Sequence, residues 1–220
     1  MNIYKILKKI LPEGLYIYLQ NKKRLYYLPK PIRDVVSNLN KNDICIDCGA
    51  NIGVYSQLFA SYGAKVYSFE PNPVAFNLLR NKTEKFRNII PIMSAVGISN
   101  TESNLYLHND FHLDEVLYSQ SSSLVKNKNN LSESSIRINV INFSEWLEQF
   151  EKIKFIKIDI EGYEVELLNH LLNSKVLQNI DYIFVETHEK KITELSDDIQ
   201  QLRQKIKNIN LHTKIFWNWP

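Results

Sequence analysis

"DICIDCGANIGVYSQLFASYGAKVYSFEPNP", residues 43–73, decides the fold. A short β-rich run ends in glycine, and "VYSQLFASYG" follows with helical spacing until Gly63 closes it. "AKVYSFEP" is a second β-rich run. Asn72 then caps a second helix that carries Pro73 at its first position. Strand, turn, helix and strand at this spacing require a right-handed crossover and a parallel sheet, whose ligands sit at the carboxyl ends of the strands.

The alternation extends outward from this unit. "NIIPIMSAVG" reads as a third strand, and "FSEWLEQFE", "IKFIKIDIEG", "EVELLNHLLN", "DYIFVETH" and "SDDIQQLRQKIKN" continue the helix–strand pattern. "LHTKIFW" reads as a last strand. Between about residues 98 and 141 the pattern pauses. There "SNLYLH" and "IRINVIN" flank a polar stretch, a β-rich insertion between the third and fourth main strands and a candidate lid or acceptor-recognition element. Residues 41–220 therefore read as one α/β domain. Residues 1–40 read as a helical or extended segment packing on it or on a dimer mate, which makes a homodimer an expectation.

Bulk properties exclude more than they name. The 220 residues carry a formal net charge of +3, 44% hydrophobic and 23% charged residues. That is an ordinary globular composition, without the concentrated positive field of a nucleic-acid binder. No run approaches the roughly 18–20 apolar residues of a membrane helix, and nothing reads as a secretory signal, so a cytoplasmic location without membrane insertion is expected. The start, "MNIYKILKKILPEG", alternates basic and apolar residues, compatible with an amphipathic helix before Pro12.

The turn after the first strand admits two readings. Cys45 and Cys48 form a C-x-x-C pair, but on a strand residues three apart face opposite sides and cannot share a ligand. Asp47, Gly49, Asn51 and Gly53 form the other reading, a nucleotide turn in which the glycines permit close backbone approach. A nicotinamide fingerprint needs three glycines, and in that frame Gly49, Asn51 and Val54 supply the first alone. A side chain at 51 crowds a pyrophosphate and Asp47 repels it. A phosphate-free, cationic cofactor such as S-adenosylmethionine is favoured. Glu70, at the end of the second strand, is placed to accept both ribose hydroxyls. Ala95 and Val96, after the third, are small enough to line an adenine slot.

"IDCGANIGVYSQLFASYGAKVYSFEPNPVAFNLL", "IKIDIEGYEVELLNHLL" and "FVETH", spanning about residues 43–190, resemble the FkbM family of S-adenosylmethionine-dependent methyltransferases. The resemblance implies a Rossmann-like, seven-stranded class I methyltransferase fold and O-methylation of a saccharide (a surface glycan or its precursor) or a related hydroxylated metabolite. It places Asp47, Gly49, Asn51 and Gly53 around the methionine portion and Glu70 on the ribose. It also matches Ser122 and Ser123 of "QSSSL" to a serine-containing cofactor stretch.

Three side chains at strand ends carry the chemistry. Asp159 closes the fourth main strand and Glu186 the fifth, with His188 two residues on; adjacent parallel strands bring them to the cofactor side. His188 has the pKa of a general base and Asp159 could orient the acceptor or the methyl end, or the roles exchange. Glu161 caps the next helix or faces substrate, and Lys157 is expected in an ion pair. A divalent cation on this cluster is weighed and not favoured, so no metal ligand is assigned. Nucleic-acid methylation is disfavoured because "DIEG" stands where an N/D-P-P-Y/F tetrapeptide would hold a base. Two rivals remain: a non-catalytic nucleoside-binding or scaffold protein of the same fold, and a nicotinamide-dependent oxidoreductase.

Overall fold

The computed structural model describes residues 10–108, 131–189, 192, 195–217 and 219. Ser122, Ser123 and the start of the basic-apolar N-terminal stretch lie outside the described residues.

At the centre lies β1 (Ile44–Cys48), whose side chains alternate between two buried environments. On one face Cys45 joins β2 (Lys65–Phe69) through Val66 and β7 (Ile153–Ile158) through Phe155, under α3 (Val54–Ser61). Helices α1 (Glu13–Tyr27) and α2 (Lys30–Ser37) complete that layer with Leu25, Ile32 and Val36. On the other face Ile46 and Cys48 meet Leu147 of α5 (Phe143–Leu147), Leu167 and Leu171 of α6 (Glu164–Leu172), and Ile206 of α7 (Ser196–Asn208). Helices thus cover both faces, as a parallel sheet buried on both sides requires. The aromatic part of the first layer sets Phe59 against Phe155 with ring centroids 4.7 Å apart. Each such buried ring contributes roughly 1.5–3 kcal/mol by leaving water.

With β3 (Ile89–Ile92), β8 (Ile180–Val185) and β9 (Ile215–Phe216), the main sheet runs β3-β2-β1-β7-β8-β9, every pairing parallel. This is a doubly wound, Rossmann-like α/β fold. The described residues place six strands in it, against the seven that the family resemblance implies. Pro91 is tolerated in β3 because β3 is an edge strand. Helix α4 (Pro73–Thr83) starts as the sequence predicts: Asn72 Oδ1 accepts from Val74 and Ala75 N–H, a cap worth about 1 kcal/mol.

One element departs from the sequence reading. "NIIPIMSAVG" is two strands rather than one. Ser94 N–H turns back to Ile92 O and its hydroxyl donates to Asn139 O at 3.0 Å, carrying β4 (Ala95–Gly97) off the main sheet. There β4 pairs parallel with β6 (Leu131–Asn142), which pairs antiparallel with β5 (Thr101–His108) in a separate three-stranded sheet. The expected β-segments around residues 98–141 form this sheet. Among the described residues no helix is long and apolar enough to cross a membrane.

Candidate active site

Strand order reverses between β1 and β7, and in doubly wound sheets ligands bind at the carboxyl ends beside that reversal. Four segments converge there in sheet order: Glu70 after β2, residues 49–53 after β1, 159–162 after β7 and 186–188 after β8.

The turn after β1 has left-handed backbone at Gly49 (φ 74°), Asn51 (φ 50°) and Gly53 (φ 81°). Its glycines serve packing against protein. A Cβ on Gly49 would stand 1.8 Å from Asp159 O, and one on Gly53 would stand 2.6 Å from Leu79 Cδ1. Close approach to β7 and α4, which spacing alone does not reveal, is what demands glycine. All five backbone N–H groups of the turn are taken: Gly49 and Ala50 donate to Phe69 O, Asn51 to Glu70 Oε2 (2.8 Å), Ile52 to Asn51 Oδ1 (2.7 Å) and Gly53 to Ala50 O. A phosphate cradle needs such donors aimed outward. This turn has none to offer.

Glu70 fastens the turn from beside it. Its second oxygen accepts from Asn72 N–H at 2.9 Å. Burial drives its pKa up to about 7, against the opposing pull of the Asn72 and Asn51 N–H groups. A carboxylate has about four lone-pair sites, so two remain for a diol.

Asp47 is fully buried beneath the turn. Ser56 donates to its Oδ2 at 2.6 Å, Ser68 donates to Ser56, and Lys157 Nζ stands 3.2 Å from its Oδ1. Lys157 also lies 3.2 Å from Asp159 Oδ2 and donates to Gly49 O at 2.8 Å. Burial alone would lower the Lys157 pKa, but Asp159 and Asp47 outweigh it and hold the ammonium above the ordinary lysine value. The predicted ion pair is therefore a bridge between both carboxylates. It places Asp47 as an internal strut. Tyr55, unmarked in the sequence reading, has its ring 6.0 Å from the same ammonium.

His188 is 2% exposed and surrounded by carboxylates. Its Nδ1 bonds to Glu164 Oε1 at 2.9 Å; Nε2 lies 3.3 Å from Glu161 Oε2, 3.7 Å from Glu186 Oε1 and 3.8 Å from Asp159 Oδ1. Glu164 is the residue the sequence reading missed. Its carboxylate accepts from Ile160 N–H (3.0 Å) and Gly162 N–H (2.9 Å), so it ties down the turn before α6, while no side chain caps that helix. Glu161, at φ 58°, instead faces His188. The available signal was an acid in the first turn of α6 after a glycine. Burial lowers the His188 pKa, yet Glu164, Glu161 and Asp159 together raise it above the usual value. Asp159, Glu186 and His188 are thus brought together, as their strand-end positions predict.

Ala95 and Val96 sit on β4, 5% and 2% exposed, and pack in different clusters. They present little surface to an adenine, because their strand belongs to the second sheet. Burial pushes both Cys45 and Cys48 thiols well above the usual pKa, as suits inert packing residues. Trp219 is buried against Tyr55 and Phe184, and Trp217 packs on the opposite cluster.

The model of the Methyltransferase FkbM domain matches residues 47–210. The chain belongs to the FkbM methyltransferase family. This FkbM domain is 27% identical over 187 residues to the hexuronic acid methyltransferase AglP of Haloferax volcanii, covering 81% of this chain and 71% of AglP. It is 25% identical to methyltransferase sdnD of Sordaria araneosa, covering 70% of each. Among solved structures, methyltransferase FkbM of Methylobacillus flagellatus matches with TM-score 0.40 and 18% identity. That match covers 76% of this chain and 43% of the other, so the chain spans less than half of that relative. Precorrin-6y C5,15-methyltransferase of Geobacter metallireducens matches with TM-score 0.41 and 11% identity, over 89% and 74%.

Proposed function

We propose that this methyltransferase uses S-adenosylmethionine and transfers its methyl group to a hydroxyl of a saccharide. The observation that carries the cofactor reading is the turn at 49–53, whose five N–H groups are all bonded internally while Asp47, Glu70 and Asp159 surround it. Such a site suits a ligand with hydroxyl donors and offers a pyrophosphate no free N–H, which disfavours a nicotinamide cofactor. Glu70 accepts the ribose hydroxyls on its two remaining lone pairs.

When bound, the cofactor supplies an electrophilic methyl group on a sulfonium. The chain's own work is to hold an acceptor oxygen in line with it and to remove the hydroxyl proton. His188 is oriented for this by Glu164, which accepts from Nδ1 and leaves Nε2 among Glu161, Glu186 and Asp159, so the neutral imidazole is the form that takes the proton there. A general base placed so contributes on the order of 10²–10⁴-fold. A saccharide acceptor is supported by the similarity to AglP, and hexuronic acid-containing saccharides are the first to test.

The test is transfer of a labelled methyl group from S-adenosylmethionine onto a panel of hexuronic acid-containing and neutral saccharides. Label on a saccharide hydroxyl, lost in His188→Ala with unchanged S-adenosylhomocysteine affinity, supports the reading. Binding of S-adenosylhomocysteine without transfer to any hydroxylated acceptor would point to the scaffold rival.

A further inference from the structure

Among the described residues, Asp159, Glu161 and His188 each offer one ligand atom within 4.8 Å of the other two. Two ligands about 2.1 Å from a shared cation stand about 3.0 Å apart at right angles and about 4.2 Å apart when opposite. The 3.3 Å from Nε2 to Glu161 Oε2 and the 3.8 Å to Asp159 Oδ1 fall in that interval.

A cluster of acids alone would mean little. The second observation is His188 Nε2 itself, a buried nitrogen in a side chain 1% exposed that makes no hydrogen bond and lies 3.3 Å from Glu161 Oε2. Leaving a buried polar atom unsatisfied costs about 1–3 kcal/mol. Such an atom is retained where a ligand completes it. The opposite ring nitrogen has the arrangement that metal-binding imidazoles show: Nδ1 donates to Glu164, whose carboxylate is pinned by Ile160 and Gly162 N–H. This leaves the Nε2 lone pair outward. Four carboxylates, those of Asp159, Glu161, Glu164 and Glu186, lie within 4 Å of one imidazole.

We infer that Asp159, Glu161 and His188 Nε2 form a divalent-cation site of the manganese type at the acceptor end of the cleft. Two carboxylates with one imidazole suit an ion that accepts both hard oxygen and nitrogen ligands and keeps water positions open. Asp159 and Glu161 are 23% and 15% exposed at their side chains, so solvent reaches the site and can fill its open positions.

The inference rests on the methyl-transfer reading for its role and refines the base assigned there, because Nε2 cannot hold a cation and a proton at once. With the cation in place, the acceptor hydroxyl binds it as a water would and its proton passes to Glu186. The oxygen then forms the new O–CH3 bond as the S–CH3 bond breaks with its electron pair going to sulfur. The cation's part is to lower the pKa of the hydroxyl.

The test is titration of the full chain with MnCl2 alone, followed by calorimetry and by loss of the free Mn2+ spin-resonance signal. The expected result is one saturable site, weakened at least tenfold by Asp159→Asn, Glu161→Gln or His188→Ala. Glu164→Gln is expected to weaken it about 10–100-fold through the imidazole's orientation. Thermal melts of each variant identify any that fail to fold, and Glu161→Gln, an isosteric change at a partly exposed residue, then carries the test. Absence of saturation at millimolar Mn2+, or affinity unchanged in Glu161→Gln, overturns the inference. Methyl transfer that proceeds at full rate with excess chelator overturns it too, and leaves the Nε2 base in place. Mn2+ binding with this variant pattern but no methyl transfer upholds the site and counts against the methyl-transfer reading alone.

Discussion

Replacing Lys157 with methionine removes the cation on which two carboxylates depend. Asp47 is 1% exposed at its side chain, its Oδ2 is held by Ser56, and its Oδ1 has Lys157 at 3.2 Å. Without the ammonium, that charge stays in the sheet beneath the turn, and Gly49 O loses its 2.8 Å donor. Breaking a buried pair by deleting one partner costs about 3–5 kcal/mol, because the remaining charge is uncompensated. For a chain of this size the loss lowers the melting temperature by about 6–20 °C. Asp47→Asn should cost less, about 1–3 kcal/mol, because Lys157 retains Asp159 at 3.2 Å. In the double variant Asp47→Asn/Lys157→Met the fully buried Asp47 charge is gone and only the partly exposed Asp159 loses its cation, so it should be more stable than Lys157→Met alone. Urea unfolding of the four proteins measures the cycle. A loss under about 1 kcal/mol for Lys157→Met, or strict additivity in the double variant, would refute the view of Lys157 as the strut beneath the turn.

Other consequences follow from the same geometry. Gly49→Ala combines a left-handed backbone with a Cβ 1.8 Å from Asp159 O, and should cost about 2–6 kcal/mol in urea unfolding; parental stability would contradict the packing role of the turn. Glu70 has a folded pKa of about 7, above its ordinary 4.5, so the stability it contributes is complete below pH 4.5 and lost as pH rises through 7. Unfolding free energy of the ligand-free protein should fall by up to ~3 kcal/mol across that window, and Glu70→Gln should remove that part of the pH dependence. An identical pH profile in the variant would show that burial does not govern this carboxylate. Cys45→Ala and Cys48→Ala should each cost roughly 1 kcal/mol and leave S-adenosylhomocysteine affinity unchanged, measured by calorimetry.

The strand–turn–helix repeat was legible because its signals are local. Gly63 ends one helix, Asn72–Pro73 begins another, and period-two alternation separates Cys45 from Cys48. The convergence of Asp159, Glu186 and His188 followed from topology, since neighbouring parallel strands bring their carboxyl ends together. What stayed hidden depends on three-dimensional partners. Glu164 meets His188 across 24 residues and Gly49 presses on Asp159 across 110, contacts that no spacing rule encodes. The break at Ser94 was also invisible, because an apolar run bends there only by virtue of a hydrogen bond to Asn139.

Calorimetric titration of the protein with S-adenosylhomocysteine and, separately, with NAD distinguishes a methyl-donor site from a nicotinamide site. One saturable site is expected for S-adenosylhomocysteine, weakened at least tenfold by Glu70→Ala, and no heat with NAD. Saturable binding of NAD, with none of S-adenosylhomocysteine, would contradict the methyl-donor reading.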